Sequence, residues 1–265
     1  MGIYERDYLQ LNRDELDFLD KLQRDKKASA IHKVTPYSVY PKAIRHYKSL
    51  FPNHLLDIFE LKEQENDLPQ KQLELFLKTL NNSSITERNL LSFFKDSKAY
   101  FIIGSLMSNY DFGHHNAFIF PEFQLGNSYQ VDFLLIGKNS SGYHFIFVEL
   151  EDPYKQITLK DGEIGSAFIK GIRQTRDWKH WLEQDFQSLS TVFAKYKHPQ
   201  MALPPEFFKY DSSRIHYIVV AGKRENFNEK TYRLSRISKI QDNTALFHYN
   251  NLYDKAMSMK SRATY

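Results

Sequence analysis

The run Tyr143-His144-Phe145-Ile146-Phe147-Val148-Glu149-Leu150-Glu151 constrains the fold of this chain more than any other stretch. Its middle is continuously apolar, so an extended segment here would be buried on both faces, as in the interior of a sheet covered on two sides. The run then ends in two acids. Strand side chains alternate with a period of two, so Glu149 and Glu151 emerge on one face, where they repel each other unless a cation lies between or beside them. On a neighbouring candidate strand, Tyr129 to Ile136, Asp132 repeats the pattern as a lone acid between Val131 and Phe133-Leu134-Leu135.

The flanking sequence supplies partners for such a strand. Phe118-Ile119-Phe120 and the segment from Tyr129 flank the turn-forming pair Gly126-Asn127, which predicts a hairpin over Ala117 to Gly137. A third strand, Tyr143 to Leu150, follows Asn139-Ser140-Ser141-Gly142. Ile164, Phe168, Ile172 and Thr175 recur near helical spacing and predict a helix from about Ile164 to Leu182. A buried strand, Ile215 to Ala221, returns after Pro204-Pro205. Hairpin, strand, crossover helix and strand in this order give an α/β core with a mixed central sheet flanked by helices.

Upstream, Arg13 to Lys26 reads as an amphipathic helix with Leu16, Leu19 and Leu22 near one face. Leu61 to Asp67 is polar enough for an exposed link, and Asn81-Asn82-Ser83 is a second. Ser84 and Glu87 have capping-box spacing ahead of Leu90, Leu91 and Phe94, so a helix opens the next unit. The division is a 1–82 accessory or regulatory region and an 83–265 catalytic domain.

Composition narrows the chemistry. There is no cysteine, which removes disulfides, zinc-cysteine sites and a thiol nucleophile, leaving carboxylates and histidines as ligands. The formal charge of +4, from 36 basic and 32 acidic residues, permits a polyanionic partner without demanding one. No apolar run reaches the roughly 20 residues of a membrane span, and Met1-Gly2-Ile3-Tyr4-Glu5-Arg6 lacks the layout of a secretory signal, so the expected compartment is the cytoplasm, with no membrane partner.

Asp132, Glu149 and Glu151, converging at the end of an apolar sheet, could hold Mg2+ or Mn2+, which prefer oxygen ligands. Such an ion can activate a water and stabilise charge on phosphate oxygens, the chemistry of phosphodiester hydrolysis. Here the sequence resembles the PD-(D/E)xK nuclease superfamily, with Asp132 at its first acid and Glu149 at its second. Gln174, with Trp178 one turn later, is similar to the glutamine-x-x-x-aromatic element that some members place beside the scissile phosphate. Phe147 to Pro153, Gly171 to Trp178 and Val219 to Arg224 look like landmarks of the Shedu family of bacterial anti-phage nucleases.

That resemblance covers roughly the second half of the chain. It implies a restriction-endonuclease-like fold, a metal-dependent DNA endonuclease in phage defence, homo-oligomerisation and a possible activator from the phage. One position departs from the superfamily pattern: Glu151 stands where the lysine is usual. Some members carry glutamate there, which implies that the extra carboxylate helps activate water; Lys170, one turn before Gln174, is a candidate migrated lysine. Glu122 is a second-tier ligand, because a one-residue slip of the hairpin reverses its face.

Lys170, Arg173 and Arg176 recur at helical spacing and could grip phosphates, although such a face is commonly just solvated. His114-His115 reads as polar surface. Two other functions remain open: a catalytically silent nuclease-fold module binding nucleic acid or protein, and, with no matching sugar platform, a glycoside hydrolase using paired carboxylates.

Overall fold

The computed structural model describes residues 2–28, 39–62, 67–112, 116–159 and 164–265. Its helices are α1 (Arg13–Ala28), α2 (Pro41–Tyr47), α3 (Leu68–Leu80), α4 (Glu87–Ser97), α5 (Tyr100–Gly104), α6 (Ser166–Asp185), α7 (Leu189–Tyr196), α8 (Glu229–Asp242) and α9 (Tyr249–Ser258). The strands β1 (Leu55–Leu56), β2 (Ala117–Leu125), β3 (Tyr129–Asn139), β4 (Gly142–Leu150), β5 (Ile215–Val220) and β6 (Thr244–Phe247) form one sheet in sequence order. β1 to β4 pair antiparallel, whereas β4–β5 and β5–β6 are parallel, so the protein is α/β with a mixed sheet.

The apolar run folds as its composition demands. Ile146, Val148 and Leu150 of β4 enter a core with α3, α5 and α9, while Phe145 and Phe147 enter a second core with Trp178 and Leu182 of α6 and Phe193 of α7. A strand covered on both sides cannot spare an alternating polar face, which is why β4 is continuously apolar. β1 and α3, although before residue 82, contribute Leu56, Leu73, Phe76 and Leu80 to the first core.

The β2–β3 turn is Gly126 to Ser128, with Gly126 at φ 58°, a left-handed conformation that glycine adopts without steric penalty. Higher in the hairpin the alternation breaks. Phe118 and Phe120 but then Phe123 and Leu125 face the same core, and on β3 the change falls between Val131 and Leu134. The break sits at Glu122, whose φ is 50°, and at Asp132, which the register places opposite it between the pairs Pro121↔Phe133 and Phe123↔Val131.

Some expectations are corrected. The helix expected from Ile164 starts at Ser166; Ile164 instead bridges Thr158, and Gly165 provides an extended N-cap. The capping box lies two residues on from Ser84 and Glu87: the Thr86 hydroxyl accepts from the Asn89 N–H, and the Asn89 side chain accepts from the Thr86 N–H. Glu87 therefore becomes the first helical residue. On α1, Leu19 and Leu22 are buried but Leu16 is exposed. His114-His115 and Glu63 to Asn66 of the expected link lie outside the described residues. No helix among the described residues is long and apolar enough to cross a membrane.

Candidate active site

Strand register brings the acids together. The last β3–β4 pair toward this end is Phe133↔Val148, and one step beyond it stand Asp132 and Glu149. Asp132 Oδ2 accepts a hydrogen bond from the Leu150 N–H at 2.7 Å, which ties the acid to the neighbouring strand. Glu149 is level with Val219 of β5, and the Glu151 N–H continues that ladder to the Val220 carbonyl at 2.8 Å. Glu149 and Glu151 are only 3% and 1% exposed.

Burying carboxylates this deeply favours their protonated forms. Desolvation is the largest cause at each: it pushes Asp132 and Glu149 well up, reinforced by Glu87 and Glu151 around Asp132 and by Asp132 and Glu151 around Glu149. Glu151 is pushed up to about 7, with Lys170 pulling the other way. Burial pulls the Lys170 ammonium down, but Glu151 and Glu87 outweigh it and hold the group above its ordinary value. Asp132 and Glu149 interact strongly enough to titrate as a pair.

Lys170 Nζ donates to Glu151 Oε2 at 3.0 Å and reaches Glu87 Oε2 at 3.5 Å. The other oxygen of Glu151, Oε1, is buried with no hydrogen-bond partner, and so is Gln174 Oε1. Orphaned acceptors in a buried site are costly unless a donor or cation meets them. Tyr249 closes the back, its hydroxyl donating to the Glu151 carbonyl at 2.7 Å.

Two of these contributors were hidden in the sequence. Glu87 read as a capping residue, and only the shifted cap releases its carboxylate toward Lys170. Tyr249 acts on a main-chain atom from a helix far away in the chain, which leaves no pattern in sequence. Glu122 stands opposite Asp132 in register, but its carboxylate is exposed and meets Lys95 at 3.6 Å. Arg176 pairs with Asp242 at 3.1 Å, Arg173 is exposed, and Trp178 is buried in the core.

The acids are neighbours without forming a closed cage. Among the described residues the one trio of ligand-type side chains with atoms mutually within 4.8 Å is His46, Asp57 and Glu60, in the N-terminal part. There Lys42 pairs with Glu60 at 2.6 Å and Arg45 with Asp57, so that trio is an ion-pair network with its own cations.

Gly171 sets the distance from α6 to the acids. A Cβ there would lie 2.4 Å from Val219 Cγ1 and 3.4 Å from Glu151 Cγ. Gly171→Ala must lift the helix off β5, and we expect a loss of about 1–3 kcal/mol in a urea titration; an unchanged midpoint would show that the contact is not tight.

The family model described as Shedu protein SduA, C-terminal, matches residues 84–253. No curated protein matches the chain. The matched span includes Glu87, Asp132, Glu149, Glu151, Lys170, Gln174 and Tyr249, hence every side chain of the cluster just described. With well over half of its length inside that match, the chain belongs to the Shedu family, through the C-terminal part of SduA.

Proposed function

We propose that the protein is a metal-dependent DNA endonuclease with a restriction-endonuclease-like core, acting in phage defence. Family membership implies the defence role. The observation that carries the nuclease reading is the concentration of Asp132, Glu149, Glu151 and Glu87 around one lysine, with a buried Glu151 oxygen left unpartnered. Clustered carboxylates that burial alone would keep protonated, with only oxygen donors, fit a hard divalent cation that would stabilise their ionised forms, Mg2+ or Mn2+, held by Asp132, Glu149 and Glu151.

When bound, such an ion would supply charge stabilisation at the phosphate oxygens and make a water easier to deprotonate. With Lys170 on Oε2, Glu151 has Oε1 left, which either helps hold the ion or, poised near neutrality, takes the proton of the attacking water. Gln174 orients the phosphate or water through its amide. In this reading residues 83–265 carry the chemistry, residues 1–82 regulate it, a phage-derived activator releases it, and the working form is a homo-oligomer.

The test is incubation of purified protein with plasmid and linear DNA in Mg2+, Mn2+ or EDTA, beside Glu149→Ala. Cutting that needs metal and disappears in the variant is expected. One observation favours a second reading, a silent module that binds nucleic acid: the three acids do not bring three oxygens within 4.8 Å of one another among the described residues. Absence of cutting with either metal on either DNA would select it.

A further inference from the structure

A groove of about 550 Å3 opens beside Asp132, with α4 and the residues just after it on one side and β2 on the other. Its volume suits a nucleotide-sized group. Arg88, Lys95 and Lys98 line it, and all three are exposed. Among the described residues Arg88 and Lys98 form no ion pair, and Lys95 has only the exposed Glu122 carboxylate at 3.6 Å, a contact of little energetic weight. The cations are therefore available to an anion along this wall.

The inner end is different in kind. His54 is 3% exposed and stacks on Phe120 with centroids 4.1 Å apart, while Tyr196 meets its edge. Its Nδ1 donates to the Ile119 carbonyl at 3.0 Å, and burial pushes the ring down to about 4, so it is neutral at physiological pH. Nε2 is thereby an acceptor, and it has no partner. Between the two ends, the left-handed backbone of Glu122 bends β2 at the level of Asp132.

Phosphate-binding cations, an aromatic wall and one unanswered acceptor are what a strand of unpaired nucleotides requires. We propose that this groove seats an unpaired segment of the substrate strand, with Arg88, Lys95 and Lys98 on its phosphates and a base against Tyr196 and His54, its amino group turned to Nε2. The groove then delivers the adjoining phosphodiester to Asp132. Only this delivery rests on the nuclease reading.

The experiment measures binding of short single-stranded and blunt duplex oligonucleotides in EDTA, where no cutting is needed. Lys95→Glu with Lys98→Glu is compared with Arg233→Glu and Arg236→Glu on α8, which change the net charge equally. Loss of two phosphate contacts should lower the salt slope for single strands by about 1.4 and weaken binding more than about tenfold at low salt, with the α8 pair much less affected. His54→Phe, which keeps an aromatic ring but has no acceptor, should remove a preference for oligo-dA over oligo-dT, and His54→Gln should retain part of it. Equal weakening by both charge reversals, equal loss for duplex and single strand, or no base preference in the wild type would overturn the proposal. If the wild type cuts DNA and the groove variant cuts and binds equally well, the groove fails while the nuclease stands; if binding depends on the groove and no DNA is cut, the groove stands while the nuclease fails.

Discussion

Glu149→Gln is expected to stabilise the metal-free protein at pH 8 by about 2 kcal/mol or more while removing DNA cleavage. Burial and the neighbouring acids raise the folded-state pKa of Glu149 above its unfolded value. A raised carboxylate holds its proton more tightly when folded. Its contribution is therefore fully present below the unfolded pKa and is lost as pH rises toward the folded one.

The histidines with lowered values, His54, His144, His198, His216 and His248, act oppositely but finish near 6.5, so the decline from Glu149 is clearest above that pH. Urea titrations in EDTA from pH 6.5 to 9 should show the wild type falling more steeply and to higher pH than the variant, which keeps only the decline that Asp132 and Glu151 contribute around neutrality. Mg2+ should restore wild-type stability and leave the variant unmoved. A wild-type curve in EDTA that is flat or rising over this range would mean that the acids are better solvated than their burial implies.

Glu151→Lys, which installs the residue usual in the wider superfamily, is expected to damage the protein. Lys170 Nζ lies 3.0 Å from Glu151 Oε2, and Glu151 is almost fully buried. The exchange breaks that pair and sets two ammonium groups against each other, a change worth about 3–5 kcal/mol where one partner is buried. Cleavage should fall at least about 100-fold, as for loss of a general base. Adding Lys170→Glu should recover stability, since the pair is re-formed with reversed polarity, but little cleavage, because the carboxylate no longer leaves from the strand end. Cleavage above wild type in the single variant would mean that Glu151 is a decayed lysine position and not a working acid.

How far the sequence reveals this site depends on the range of the interactions involved. β2, β3, β4, α6 and β5 are legible because two-sided burial and helical spacing are local patterns. α5 is harder: Tyr100 to Gly104 is buried on every side, so it has no periodicity to read, and β6 is only four residues long. The convergence of Glu149 and Glu151 follows from strand alternation. The placement of Asp132 beside Glu149 depends on register, and that of Glu122 on a backbone break that obeys no alternation rule. Lys170 is suggested by its turn spacing before Gln174, but its contact with Glu151 needs the close approach of α6 allowed by Gly171.

The crossover between β4 and β5 also orders events in time. The β2–β3–β4 meander draws on residues 117–150 and can pair as soon as it exists, whereas β4 meets its parallel neighbour only after the chain has run on to residue 215. Contacts of such sequence separation form slowly, and a polypeptide leaving the ribosome acquires them last. The growing chain thus carries its acids long before it has the wall at Val219 or the helix contact at Gly171 that gathers them. The acidic cluster therefore stays unassembled through most of synthesis and is complete only once β5 and, after it, the Tyr249 helix have docked.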